Sequence, residues 1–169
     1  MFEDRQRSLN LLWPPFKEKV LRGLHLARSQ GLQVYVFESW RSGARQNNLY
    51  SQGRTTPGRI ITRARAGYSW HYYGLAVDLV FDGHARPGIQ WSWDGDYIGK
   101  KEGDYKRLGK IITTLDDIEW YGQPGSSFYE TPHFQMTMGM DILEAKRLAD
   151  AGGLPAVWVE LEKRLKGES

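Results

Sequence analysis

Cysteine is absent from this chain of 169 residues. Its absence excludes disulfides, zinc–thiolate sites and thiol nucleophiles, so any metal centre must be assembled from His, Asp and Glu. Long apolar runs are missing too, and no stretch approaches the roughly 20 residues of a membrane-spanning helix. The first ten residues mix Glu3, Asp4, Arg5 and Arg7 and lack the positive-then-apolar order of a secretory signal. A product made in the cytoplasm, with no membrane as partner, is the expectation. Lys and Arg exceed the acids by 23 to 20, a net charge of +3, yet no block of like charge occurs. That mild bias favours approach to a polyanion such as an acidic cell wall. No nucleic-acid-binding module motif is present, which argues against nucleic acid as a partner. Repeats, low-complexity tracts and dividing linkers are also missing, so residues 1–169 are expected to form one domain around a single core, acting as a monomer.

Aromatic residues, in contrast, are plentiful. Seven Trp and nine Tyr suit a packed core and a cleft that grips an extended polymer. Pro14-Pro15 opens a helix over 14–28, with Phe16, Val20, Leu24 and Leu26 as its apolar residues and Gly31 beyond its end. A strand is expected over 33–37, and a short helix over 45–52 capped by Gly53. The arginine-rich stretch 55–67 reads as loop. Residues 75–81 form an apolar, β-branched strand interrupted by Asp78. The glycine- and tryptophan-rich segment 83–103 reads as a long surface excursion. A helix over 104–115, strands over 118–121 and 133–136 around a Gln-Pro-Gly-Ser-Ser turn, a helix capped by Asp141 and a last one opened by Pro155 complete the chain. Helices grouped around a few short strands make an α+β domain with a small antiparallel sheet.

Two clusters carry chemistry. A carboxylate in the middle of an apolar strand is costly unless it is paired or coordinated, and Asp78 follows His71 by seven residues, across a Gly74 that permits a turn. Further on, Pro132 suits the first position of a strand, which places His133 at the strand's start and Glu130 on the turn before it. His71, Asp78 and His133 together offer two nitrogens and one oxygen, the three-ligand set of a catalytic zinc whose fourth position is left to water. Glu130 then stands beside that water as a general base, the division of labour that metal-assisted hydrolysis requires. Taken singly, each has a plainer reading: a salt bridge for Asp78, a packed histidine for His133, a solvated turn residue for Glu130. His25 and His84 are left outside the set.

The strings Ser69-x-His71-x-x-Gly74-x-Ala76-x-Asp78 and Glu130-x-Pro132-His133-Phe134 resemble the zinc peptidases of bacterial peptidoglycan. That family holds D-alanyl-D-alanine carboxypeptidases and dipeptidases and the L-alanyl-D-glutamate endopeptidases of phage endolysins. Trp40-Arg41-Ser42, Arg45-Gln46 and Leu49-Tyr50-x-Gln52-Gly53-Arg54-Thr55-x-Pro57-Gly58 are similar to the endopeptidase branch. The resemblance implies a hedgehog/D,D-peptidase-like fold and Zn2+ held by His71, Asp78 and His133. It also implies Glu130 as catalytic base, Arg41 facing the scissile carbonyl or a substrate carboxylate, and Ser69 and Gln46 lining the cleft. The partner it implies is the peptidoglycan stem peptide, cut at the L-alanyl-D-glutamate bond or, alternatively, at terminal D-alanine, after release or export to the wall. A zinc-bearing wall-binding module without catalysis is the reading from another class, though it has no need of an acid at 130. The chain departs from the family at Tyr72, where Asn often stands, and at Gln135, where an acidic residue often follows the phenylalanine.

Overall fold

The computed structural model describes residues 5–81, 103–122 and 130–168. After a 3-10 turn at Leu9–Leu11, helix α1 (Pro14–Ser29) starts on its two prolines. Phe16, Val20, Leu24 and Ala27 recur at helical spacing on its buried face. Strand β1 (Val34–Glu38) and helix α2 (Gly43–Ser51) follow, the latter capped by Ser42, whose hydroxyl accepts the Arg45 N–H at 3.2 Å. A one-turn 3-10 helix, Trp70–Tyr73, leads into strand β2 (Ala76–Phe81). Then come α3 (Asp104–Ile112), β3 (Glu119–Trp120), β4 (His133–Gln135) and α4 (Ile142–Lys166).

Among the described residues four strands form one sheet in the order β1-β2-β4-β3, every neighbouring pair antiparallel. This is the expected α+β arrangement of helices around a small antiparallel sheet. Alternation along the strands divides the two faces. Val77, Leu79 and Phe81 of β2 and Phe134 of β4 join Trp13, Phe16, Val20, Tyr105 and Leu108 in the main core, with α1 and α3 packed together over it. Asp78, His133 and Gln135 lie on the other face. That face carries the chemistry.

Most expected elements are present with shifted ends. Helix α3 stops at Ile112, where Thr113 caps it, rather than running to 115. The strands read over 118–121 and 133–136 shrink to two and three residues; among the described residues β3 lies at the sheet edge and pairs with β4 alone. The helices expected on either side of Pro155 are the two arms of α4, broken at Gly152 and Gly153, where Gly153 has φ 70°. Asp141 caps the first arm, its carboxylate accepting the N–H groups of Leu143 and Glu144 at 2.8 and 2.9 Å. The excursion read over 83–103, with His84, lies outside the described residues except for Gly103. The Gln-Pro-Gly-Ser-Ser turn lies wholly outside them. No helix among the described residues is long and apolar enough to cross a membrane.

Candidate metal centre

His71 arrives on the 3-10 turn, a helical element in a stretch to which the sequence assigned no regular structure. Gly74 ends that turn with φ 70°, and a Cβ there would stand 2.6 Å from the Leu11 carbonyl oxygen. Only glycine combines that left-handed backbone with so close an approach. The chain therefore reverses immediately after His71 and enters β2, and His71 and Asp78 meet, with Nε2 of the imidazole 3.3 Å from Asp78 Oδ1.

Register brings the third group. Asp78 and His133 are cross-strand partners in β2 and β4, and His133 Nδ1 lies 3.1 Å from Asp78 Oδ1. One ligand atom from each of His71, Asp78 and His133 lies within 4.8 Å of the others, and all three side chains are buried. The His71 and His133 rings meet edge to face with centroids 5.1 Å apart. Two imidazoles and a carboxylate converging in this way form a donor set that fits a divalent transition metal.

The outer contacts fit it too. His71 Nδ1 donates to the Ser39 carbonyl at 2.6 Å, which leaves Nε2 as the nitrogen turned to Asp78. His133 Nε2 contacts Gln135 Oε1 at 3.0 Å, which leaves Nδ1. A hydrogen bond on the far nitrogen fixes tautomer and ring orientation in histidine–metal sites.

Electrostatics set the protonation of the metal-free site. Burial alone raises the Asp78 carboxyl, but the charges and hydrogen bonds of His71 and His133 outweigh it and hold the group well below the usual carboxylate range. Burial pushes His71 down. Burial acts the same way on His133, but there the Asp78 carboxylate wins and the imidazole is raised.

Glu130 and His133 occupy the two ends of one tight turn, closed by the His133 N–H donating to the Glu130 carbonyl at 3.2 Å. Trp120, stacked on Phe134, donates its indole N–H to the Thr131 carbonyl at 2.8 Å and so pins that turn to the sheet. Burial, reinforced by the Asp78 carboxylate, pushes Glu130 up to about 7.

Arg41 is held in place rather than loose on the surface. Its Nε and Nη2 donate to Glu38 Oε2 at 3.0 and 2.6 Å, its Nη1 to Gln46 Oε1 at 2.9 Å, and its Nη2 reaches Asp78 Oδ2 at 3.5 Å. Four of the five guanidinium N–H groups are thus engaged. Gln46, expected at the cleft wall, is fully buried. Its amide donates to the Ala64 carbonyl at 2.7 Å, and its Oε1 accepts from Arg41, so it supports the guanidinium. Ser69 is half-buried at the start of the 3-10 turn, where its carbonyl accepts the Tyr72 N–H at 3.0 Å. His25 sits on the exposed side of α1.

Glu38 escaped the sequence reading. It is buried, it faces Asp78 as cross-strand partner, and it bridges Arg41 and Arg45. The one available signal was an acid at the end of an apolar strand followed by two arginines at close spacing.

A model of the family described as VanY, D-alanyl-D-alanine carboxypeptidase, matches residues 11–102, a span that contains Arg41, His71 and Asp78. The chain is 38% identical over 112 residues to the peptidoglycan L-alanyl-D-glutamate endopeptidase CwlK of Bacillus subtilis strain 168. That alignment covers 65% of this chain and 64% of the relative, a little under two thirds of its length. Two solved structures share the fold. VanYB in complex with D-alanine-D-alanine gives a TM-score of 0.53 at 14% identity, covering 93% of this chain and 78% of that one. The LD-carboxypeptidase LdcB gives 0.54 at 18%, covering 94% and 72%. With the family model spanning more than half its length, the chain belongs to the VanY family of D-alanyl-D-alanine carboxypeptidases.

Proposed function

We propose that this protein is a zinc-dependent peptidase of the peptidoglycan stem peptide, with the L-alanyl-D-glutamate bond as its target. The observation that carries this reading is the pairing of a buried His71–Asp78–His133 cluster with a carboxyl at the other end of the His133 turn. His71 Nε2, Asp78 Oδ1 and His133 Nδ1 would hold the zinc. When bound, zinc supplies a Lewis acid for the scissile carbonyl and lowers the pKa of water at the site.

Glu130 takes a proton from the attacking water and returns it to the leaving amine nitrogen. In the metal-free site burial raises this carboxyl to about 7, so it starts as a stronger base than a solvated carboxylate. Arg41 keeps one Nη1–H beyond its contacts to Glu38, Gln46 and Asp78, and this donor stabilises the oxyanion or a substrate carboxylate. Glu38 and Gln46 hold the guanidinium so that no reorganisation is needed when the substrate arrives. Ser69 lies beside His71 and contributes to substrate contact.

The 38% identity to an L-alanyl-D-glutamate endopeptidase supports the choice of bond. Removal of terminal D-alanine is the second reading, favoured by the description of the matching family model. A pair of synthetic substrates separates them: one stem peptide with an intact L-Ala-D-Glu junction and a blocked C-terminus, the other ending in D-Ala-D-Ala with a blocked junction. Cleavage of the first alone is the expected result. Cleavage of the second alone overturns the assignment of the bond, and cleavage of neither by zinc-loaded protein overturns the activity.

A further inference from the structure

Two rungs along the sheet from Asp78 and His133, on the same face, lies a second polar pair. Gln135 faces Ala76 on one side and Glu119 on the other. Its Oε1 meets His133 Nε2 at 3.0 Å, and its Nε2 donates to Glu119 Oε2 at 3.0 Å. Glu119 also accepts from the Tyr121 hydroxyl at 2.9 Å, from the Thr137 N–H at 3.3 Å and from the Thr137 hydroxyl at 2.5 Å. Apart from the His133–Gln135 contact, none of these belongs to the chemistry described above.

A glutamine amide has an acceptor end and a donor end of nearly the same shape, so alone it cannot dictate a histidine tautomer. Glu119 removes the ambiguity. Turning the amide around would set Gln135 Oε1 against Glu119 Oε2 and lose a hydrogen bond to a carboxylate. The amide is therefore fixed with its oxygen toward His133, and an oxygen there can only accept. Nε2 of His133 must keep its proton, and Nδ1 becomes the nitrogen available to a metal.

We infer that Gln135 and Glu119 are positioning residues that select Nδ1 of His133 as the metal-facing nitrogen, with the choice set at Glu119, one strand away from the ligand. The inference rests on the metal-site part of the proposed function and not on which bond is cut. Its most specific consequence is an exchange. A carboxylate placed at 135 can accept from His133 Nε2–H directly, provided that 119 no longer carries a second carboxylate against it.

The experiment compares wild type, Gln135→Leu, Glu119→Gln and the exchanged pair Gln135→Glu/Glu119→Gln. Zinc affinity is read by chelator competition, and the His133 ring by 15N NMR of the zinc-loaded protein. Gln135→Leu should lower zinc affinity by about 10–100-fold, the range for loss of an outer-shell partner, and Glu119→Gln by at least about fivefold. In both, the exchange-protected Nε2–H signal of His133 should weaken. The exchanged pair should return to within about threefold of wild type and regain that signal, whereas a merely structural loss would add across the two positions. An exchanged pair no better than Gln135→Leu overturns the inference, as does a Glu119→Gln protein with unaltered affinity and ring signal. Melting of the metal-free variants controls for folding, and the Gln135→Leu comparison with the exchanged pair stands if Glu119→Gln alone is unstable. A wild-type protein that binds no zinc removes the metal-site reading and this inference with it. Zinc binding with indifferent variants removes this inference alone.

Discussion

Asp78 and His133 are cross-strand neighbours on one face of the sheet, with Oδ1 of the first 3.1 Å from Nδ1 of the second. Because β2 and β4 fix that approach and Gly74 brings in His71, the cluster is set by backbone pairing rather than by mobile side chains. Asp78→Asn keeps the shape and removes the charge. It should weaken zinc binding by more than about 100-fold, beyond the usual cost of an outer-shell change, and chelator competition measures it.

The metal-free protein should be most stable in mild acid. His133 is raised, so its pairing with Asp78 contributes fully below about pH 6.5 and is lost as pH rises through the His133 value. Asp78 is held low, so its contribution is present above about pH 4 and is lost as pH falls. Glu130, pushed up to about 7, opposes folding increasingly between about pH 4.3 and 7. His71, pushed down by burial, opposes folding below about pH 6.5, so it is from about pH 6.5 to pH 8 that the melting temperature of chelator-treated protein should fall. The rise in melting temperature on adding zinc should grow over the same interval, because zinc displaces the His133 proton. A zinc effect that is flat with pH would contradict this account.

Glu130→Gln separates catalysis from stability. Turnover should fall by about 10^2 to 10^4-fold with zinc still bound. The metal-free variant should gain roughly 1–3 kcal/mol at pH 8 through relief of a buried charge, about 2–4 °C of melting temperature per kcal/mol. That gain should vanish below pH 5. Melting curves of wild type and variant at the two pH values test the sign.

Gly74→Ala should cost about 1–3 kcal/mol from left-handed backbone alone, with a further loss from the 2.6 Å approach to Leu11. Displacing the 3-10 turn also moves His71, so zinc affinity and thermal stability should fall together. A variant that loses stability but keeps its affinity would detach the turn from the site.

Glu38→Gln leaves Arg41 and Arg45 without the carboxylate that joins them. Breaking a buried ion pair from one side costs about 3–5 kcal/mol, and denaturant unfolding should show a loss of that order.

The legible part of the site was local in sequence. His71, Gly74 and Asp78 lie within eight residues, and Glu130 and His133 within four, so turn and strand chemistry could bring each set together on paper. The long-range parts depended on pairing. In β1 the register shifts between Val36 and Glu38; regular pairing would have set Phe37 opposite Asp78, and the bulge turns Glu38 onto the polar face instead. Gln135 meets Glu119 only because β3 joins the edge of the sheet, and a two-residue strand leaves almost no periodic signal. Gln46 was placed at the cleft by the family resemblance alone. Its burial follows from the Ala64 carbonyl and Arg41, partners that no spacing rule reveals. The 3-10 turn around His71 was hidden for a similar reason, since four aromatic-rich residues carry no helical period.

The most direct test is digestion of purified peptidoglycan by zinc-loaded protein beside Glu130→Gln of equal zinc content, with mass spectrometry of the released fragments. The account predicts fragments with a free N-terminal D-glutamate from the wild type and almost none from the variant. Equal release by both proteins, or no release by the zinc-loaded wild type, would contradict it.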